Sequence, residues 1–391
     1  MDVYAYHNYN SSSDEDAPDH AHSHEKVAVI VKLGGAAITE KDSLETMGAR
    51  GQAVLAAAAR SIAETVRTQR NVVVVHGAGS FGHFQAKEHG VAGGGVLEGI
   101  ACEDGDATAR LRAGVAKTRN SVQKLNAAVV SALIDAGVHA VGLSPFASWF
   151  TRGAGKHIAM PLTEPGFRSV TFCLDNGLVP VLHGDVAFDM EQDCAILSGD
   201  TILEHLSVFL RPERAVFITD VPGVFAEPPP TKSEPGTTPA TLLGFVGVDP
   251  EDPKRCAESP LLVGGRFEVD EDGARRFVPA ADSAETTEEM KRVSNAMRGA
   301  SMWEFAAENA RKADDASAPD VTGGIVTKLR SAAVVAALTN GGLDVFVTDY
   351  ASGGGHAAIV GDVIVDGPQA RRGTLKSSGE RWVGTIFGFG R

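Results

Sequence analysis

No apolar run in this 391-residue chain approaches the roughly 20 residues that a membrane-spanning helix needs. Cysteine is scarce. Cys102, Cys173, Cys194 and Cys256 stand far apart with no Cys-x-x-Cys pair, which argues against a disulfide framework or a zinc ribbon and favours reduced thiols. Positive charge is in deficit: 36 Lys and Arg face 50 Asp and Glu, a net charge of −14. That balance sets aside nucleic acid and anionic membranes as main partners. A phosphate site must then be built locally, against the average field. There is no solenoid-type repeat. Met1 to Lys26 has neither the apolar core of a secretory signal nor the basic character of a mitochondrial address, so the expected location is the cytoplasm.

What is present is an ordinary soluble composition, 43% apolar and 22% charged. Its length suits one large α/β domain or two smaller ones. Residues 1–26 read as a solvated, disordered tail, with Asp14, Glu15, Asp16 and Asp19 among serines. His20, His22 and His24 could bind a transition metal, but a solvated tail is the plainer reading, and no metal ligands are assigned.

From Val27 onward, short β-branched runs alternate with helical patterns, as in a mostly parallel sheet covered by helices. Strands are expected at Val27–Lys32, Asn71–Val75, His139–Leu143, Val179–His183, Cys194–Leu197, Ala215–Thr219 and Asp344–Thr348. Helices are expected at Gly51–Gln69, Asp106–Ala136 and Lys328–Leu338, their apolar stripes facing the core. Between Phe225 and Asp320 the rhythm breaks, beginning at Pro228-Pro229-Pro230. Residues 226–319 therefore read as a partly disordered insertion with one helix near Thr287 to Lys312.

The chemistry concentrates in five stretches. Lys32-Leu33-Gly34-Gly35 follows the first strand, with Lys41 close behind. Glycines let backbone approach an anion and lysines add charge, although strand–Gly-Gly turns also occur for structural reasons alone. His76-Gly77-Ala78-Gly79-Ser80-Phe81-Gly82-His83 contains G-x-G-x-x-G. A dinucleotide site is disfavoured, because this follows the second strand and no acidic residue ends a strand about 20 residues on. His83 opens the next helix, where it can meet an anion or be a simple surface or core histidine.

His183-Gly184-Asp185-Val186 and Ser198-Gly199-Asp200 each place Gly-Asp past the end of a strand. Such an aspartate can bind Mg²⁺ or orient a lysine, and Asp200 can equally cap the helix beginning at Thr201. Thr219-Asp220-Val221-Pro222-Gly223-Val224 is the fourth stretch. Val321-Thr322-Gly323-Gly324 through Lys328 is the fifth, a second Gly-Gly/Lys turn at a helix start.

In this order the motifs resemble the amino acid kinase superfamily, over roughly Val27–Phe225 and Asp320–Lys376. Within it, Gly-Ser-Phe-Gly-His and His-Gly-Asp-Val are similar to the isopentenyl phosphate kinases. The resemblance implies a three-layer αβα sandwich, usually a homodimer, with an acceptor half at about 27–190 and a nucleotide half at about 191–391. It implies ATP-dependent, Mg²⁺-assisted conversion of isopentenyl phosphate, with dimethylallyl phosphate as a second candidate, to the diphosphate. Carried over, Lys32, Gly34, Gly35, Gly79, Gly324 and Lys328 surround the ATP phosphates, and Asp220 lies at the nucleotide site. Lys41 steadies the transferring group, Asp200 orients the lysines, and Ala78, His83 and Gly184 hold the acceptor phosphate. Ala36 and Ala78 replace the serine and glycine frequent in the family; Ala36 lacks a hydroxyl, whereas Ala78 keeps its N–H. The alternatives are a sister kinase for a phosphonate or nucleotide, and a nucleotide-binding sensor without catalysis.

Overall fold

The computed structural model describes residues 26–68, 70–95, 105–226, 240–249, 252, 261–269, 275–279, 324–339, 343–365 and 373–388, with backbone alone at 105, 240, 261–264, 266–269, 275–279 and 324–328. The first half contains β1 (Val27–Leu33), the single turn α1 (Gly35–Ile38), α2 (Gly48–Arg67), β2 (Asn71–His76), α3 (His83–Glu88) and α4 (Gly105–Asp135). It continues through β3 (Ala140–Gly142), β4 (Phe150–Arg152), β5 (His157–Ile158), α5 (Glu164–Asp175), β6 (Val179–His183), β7 (Asp185–Asp189) and β8 (Asp193–Leu197). Then come α6 (Gly199–Leu210), β9 (Arg214–Ile218), β10 (Ala240–Gly247), β11 (Leu261–Val269) and β12 (Arg275–Pro279). The chain ends with α7 (Gly324–Leu338), β13 (Asp344–Thr348), α8 (Gly354–Val360), β14 (Val363–Val365), β15 (Gly373–Leu375) and β16 (Thr385–Gly388).

All seven residues of β1 are buried, as a strand covered on both faces must be. It lies inside a ten-stranded sheet ordered β12-β11-β10-β16-β13-β9-β1-β2-β6-β3, parallel from β13 to β3. On one face Ile30, Val75 and Phe217 pack with Phe167 of α5, Leu203 of α6 and Ala332 of α7. On the other, Val29, Val31 and Val74 pack with Ile62 of α2, Leu125 of α4 and Ala358 of α8. This is the expected αβα sandwich.

Two features differ from the sequence-based expectation. Cys194–Leu197 is a strand, but it pairs antiparallel with β7 in a separate four-stranded sheet, β5-β4-β7-β8, rather than in the central one. The 226–319 region also supplies three strands. β10 runs parallel to β16, its Leu242, Leu243, Phe245 and Val246 are buried, and β11 and β12 extend the edge. A Pro- and Gly-rich composition hid them; the distant β16 fixes β10 to the sheet, and β11 and β12 follow as antiparallel neighbours. The helix expected near Thr287–Lys312 and the histidine tail lie outside the described residues.

Candidate active site

Four parallel strands, β1, β2, β6 and β9, end on one edge of the sheet. The chain leaves β1 toward β2 on one side and later returns to β9 on the other. Open α/β sheets bind ligands at such a switch point. Gly34 N donates to Ile218 O at 2.8 Å, Gly77 N to Leu33 O at 2.9 Å and Gly184 N to His76 O at 2.9 Å, so each turn is laced to its neighbour.

The Gly34-Gly35 and Gly77–Gly79 turns touch back to back. A Cβ on Gly35 would lie 2.4 Å from Gly79 N, and Gly79 itself has φ +51°, where glycine is at ease. The helix after Gly34-Gly35 is the single turn α1; the long helix starts only at Gly48. Close backbone approach, rather than a long helix end, is what this turn offers. A Cβ on Gly184 would lie 3.3 Å from Gly199 N and 3.8 Å from Ala78 N, so the β2, β6 and β8 turns converge on one spot. His83 is the half-buried first residue of α3, one turn beyond Gly79.

Lys32 is buried, its ammonium ion-paired with Asp200 and 5.8 Å from the centre of the Phe217 ring. The cap of α6 belongs to Ser198, whose Oγ accepts from Thr201 N at 3.0 Å. Asp200 is therefore free of the capping role and turned to the lysine. Lys41, two-thirds exposed, reaches Asp220 Oδ2 at 2.9 Å, just beyond β9. Gly324 begins α7, and Lys328 lies one turn later on its backbone. The structure thus brings together Lys32, Gly34, Gly35, Ala78, Gly79, Gly184 and Asp200, with Lys41 and Asp220 across the switch point.

His76, His183 and Arg119 carry no assigned role in the sequence, and Asp185 reads only as able to bind Mg²⁺ or orient a lysine. His76 and His183 stack with ring centres 5.5 Å apart. Burial holds both imidazoles neutral, with pKa values lowered to about 3 and about 4. Placing the proton of His76 on Nδ1 lets it donate to Gly77 O at 3.0 Å while Nε2 accepts from Asn126 at 3.1 Å. Behind Gly184, Asp185 accepts from Arg119 Nε and from Ser144 Oγ, each at 3.3 Å. Burial raises its pKa to about 6 even though Arg119 opposes the shift. The repeated His-Gly at two strand ends was the only available signal. Arg119 was hidden on a helix whose apolar stripe reads as core.

A cavity of about 410 Å³, lined by Arg112, Val115, Ala116, Arg119, Asn120, Gln123 and Phe146, opens on the flank of α4 rather than over the glycine turns. Among the described residues no group of three His, Cys, Asp or Glu is arranged to hold a metal ion. None of the described helices is long and apolar enough to cross a membrane.

The arrangement suits anions: two lysines, each beside a carboxylate, stand at an edge where glycine turns bring backbone into close approach. The profile of the amino acid kinase family matches residues 28–237. An isopentenyl phosphate kinase of Arabidopsis thaliana is 32% identical over 398 residues, spanning 93% of this chain and 96% of that protein. One from Methanothermobacter thermautotrophicus is 36% identical over 222 residues, 56% of this chain and 75% of that protein. A crystal structure of an isopentenyl phosphate kinase superposes with a TM-score of 0.53 at 25% identity, covering 85% of this chain and 96% of its own. Profile, whole-length relative and sandwich agree, and the chain belongs to the amino acid kinase family.

Proposed function

We propose that the protein transfers the γ-phosphoryl group of ATP to isopentenyl phosphate, giving isopentenyl diphosphate and ADP. The observation that carries this reading is the whole-length relationship to a protein named isopentenyl phosphate kinase. The convergence of the glycine turns with Lys32 and Lys41 supplies a means.

A phosphate monoester has a second pKa near 6, so at neutral pH its oxygen is already a nucleophile and needs no general base. An acceptor oxygen bonds to the γ-phosphorus as the bond to the β,γ-bridging oxygen breaks, and ADP leaves. The difficulty is bringing two anions together and steadying charge on the group in flight. In this reading Lys32, Gly34, Gly35, Gly79, Gly324 and Lys328 surround the ATP phosphates, and Asp220 serves the nucleotide. Lys41 stabilises the transferring group. Asp200 orients the lysines, which its pairing with Lys32 supports.

Ala78 N, His83 and Gly184 hold the acceptor phosphate. Two residues past Gly184, Val186 enters a small apolar cluster with Ala86, Val91, Leu111 and Cys194, a suitable neighbourhood for a short hydrocarbon tail. With Asp200 committed to Lys32, Mg²⁺ fits best on the ATP phosphates and water, where it neutralises charge. Dimethylallyl phosphate as a second acceptor, homodimer assembly and a cytoplasmic location complete the reading, supported by the family resemblance.

The test is ADP release with ATP and Mg²⁺ in the presence of isopentenyl phosphate, dimethylallyl phosphate, UMP, fosfomycin, glutamate or no acceptor. Turnover confined to the isoprenoid phosphates is expected. Turnover with another acid moves the function to a sister kinase, and ATP binding without turnover favours a sensor.

A further inference from the structure

Lys41 is long and largely exposed, so little packing fixes its stem, although Asp220 holds its tip at 2.9 Å. The loop that carries it must set where the stem starts. Residues 40–46 close on themselves through Glu40 N donating to Thr46 O at 2.9 Å, with Lys41 near one end and Glu45 at the other. Both ends are stapled to the Gly79–Phe81 turn. Ser80 N donates to Thr39 Oγ1 at 3.1 Å, Thr46 N to Ser80 Oγ at 3.3 Å, and Glu45 N to Ser80 O at 3.2 Å.

Glu45 reaches further than these backbone contacts. Its Oε2 accepts from Lys124 of α4 at 2.7 Å and its Oε1 from Gln85 of α3 at 3.3 Å, two residues beyond His83. The Lys124 hydrogen bond holds the carboxyl below the usual carboxylate range. Glu45 does this at φ +49°, a left-handed conformation that disfavours a residue bearing a Cβ. A strained non-glycine residue with two directed partners indicates that its side chain is needed there.

We infer that Glu45 is a positioning residue for Lys41. Its carboxylate clamps the 40–46 loop to the helix that begins with His83 and to α4, setting Lys41 in register with the acceptor side. The inference rests on the reading of Lys41 as the residue that steadies the transferring group.

The test is steady-state kinetics of the full chain with ATP and isopentenyl phosphate, with thermal unfolding as the check on folding. Glu45→Gly accepts the backbone conformation and removes only the clamp. It is expected to lower kcat about tenfold or more, leaving both KM values within about twofold. Glu45→Gln, which keeps an acceptor oxygen, restores part of the loss. Lys124→Met breaks the clamp from the other side and gives a smaller fall in kcat, and it decides the question should Glu45→Gly not fold.

In a Lys41→Ala background, adding Glu45→Gly is expected to change kcat by less than about twofold, because the clamp then has nothing to position. A full additional loss in that background overturns the inference, as does unchanged kcat in Glu45→Gly. Unchanged kcat in Lys41→Ala alone overturns the reading of Lys41, and the inference falls with it by a separate route.

Discussion

Lys32 on β1 and Asp200 on α6 form a buried ion pair across 168 positions of sequence, their side chains 4% and 9% exposed. Removing one partner takes a counter-charge from the other in a low-dielectric interior. Asp200→Asn is expected to cost about 3–5 kcal/mol of stability, read as a lower urea midpoint. Replacing both, Lys32→Met with Asp200→Leu, recovers much of that stability while abolishing activity. An Asp200→Asn protein as stable as the parent would show that the pair is not structurally required.

The contact between Gly35 and Gly79 leaves no room for a methyl group. A Cβ on Gly35 meets Gly79 N at 2.4 Å and Gly79 Cα at 2.7 Å, both backbone atoms, so the two turns must part. Gly35→Ala is expected to lower kcat/KM about a hundredfold with an unchanged circular dichroism spectrum. Gly93→Ala, whose Cβ meets nothing within 4 Å, serves as the control and keeps activity within about twofold. Equal activity of the two variants would sink the close-approach argument.

His83 heads α3 directly after Gly82, where an added Cβ would meet Ala78 Cβ at 2.7 Å. A hydrogen bond to a charged group contributes about 1.5–3 kcal/mol, so His83→Ala should raise the acceptor KM roughly ten- to a hundredfold. The KM for ATP should hardly move. An unchanged acceptor KM removes His83 from the site.

Stability should fall on mild acidification. Burial lowers His76 to about 3, and His183 and His205 to about 4, so these imidazoles stay neutral in the fold. In the unfolded chain they protonate through 6.5, and the unfolded state then binds more protons. Their contribution is complete above 6.5 and drains away toward pH 4. Asp185 and Glu204, which burial raises to about 6 and about 7, act in the opposite sense over the same range. Three imidazoles outweigh two carboxyls, and the urea midpoint is expected to drop between pH 7 and pH 5. A midpoint that rose over this interval would contradict the assignment of buried neutral histidines.

Much of the fold was legible because its central strands are buried on both faces and so are written as nearly unbroken β-branched runs, Val72 to Val75 being the plainest. The Gly34-Gly35 and Gly77–Gly79 turns were legible for the same local reason: a strand followed by glycines needs no distant information. What stayed hidden depended on partners far along the chain. Phe150–Arg152 and His157–Ile158 are too short to show a period; the first is a strand because β7 stands beside it, and the second because the first does. In Ser198-Gly199-Asp200 the sequence leaves Asp200 open as a helix cap. The fold gives the cap to Ser198, because Lys32 claims the aspartate. Glu45 carries no local motif, and its role comes from Lys124 and Gln85, which the fold brings to its carboxylate.

The place of β1 between β2 and β9 also sets an order of assembly. Its first partner spans 71–76 and follows closely in synthesis, but its second, 214–218, emerges about 140 residues later. At roughly 5–20 residues per second, the ribosome leaves one side of the most buried strand unpaired for on the order of ten seconds. A bare apolar edge of that kind is a template for mispairing. The nascent chain is thus most vulnerable midway through its synthesis. Residues 27–190 expressed alone should be aggregation-prone, because the strand that completes their centre belongs to the other half.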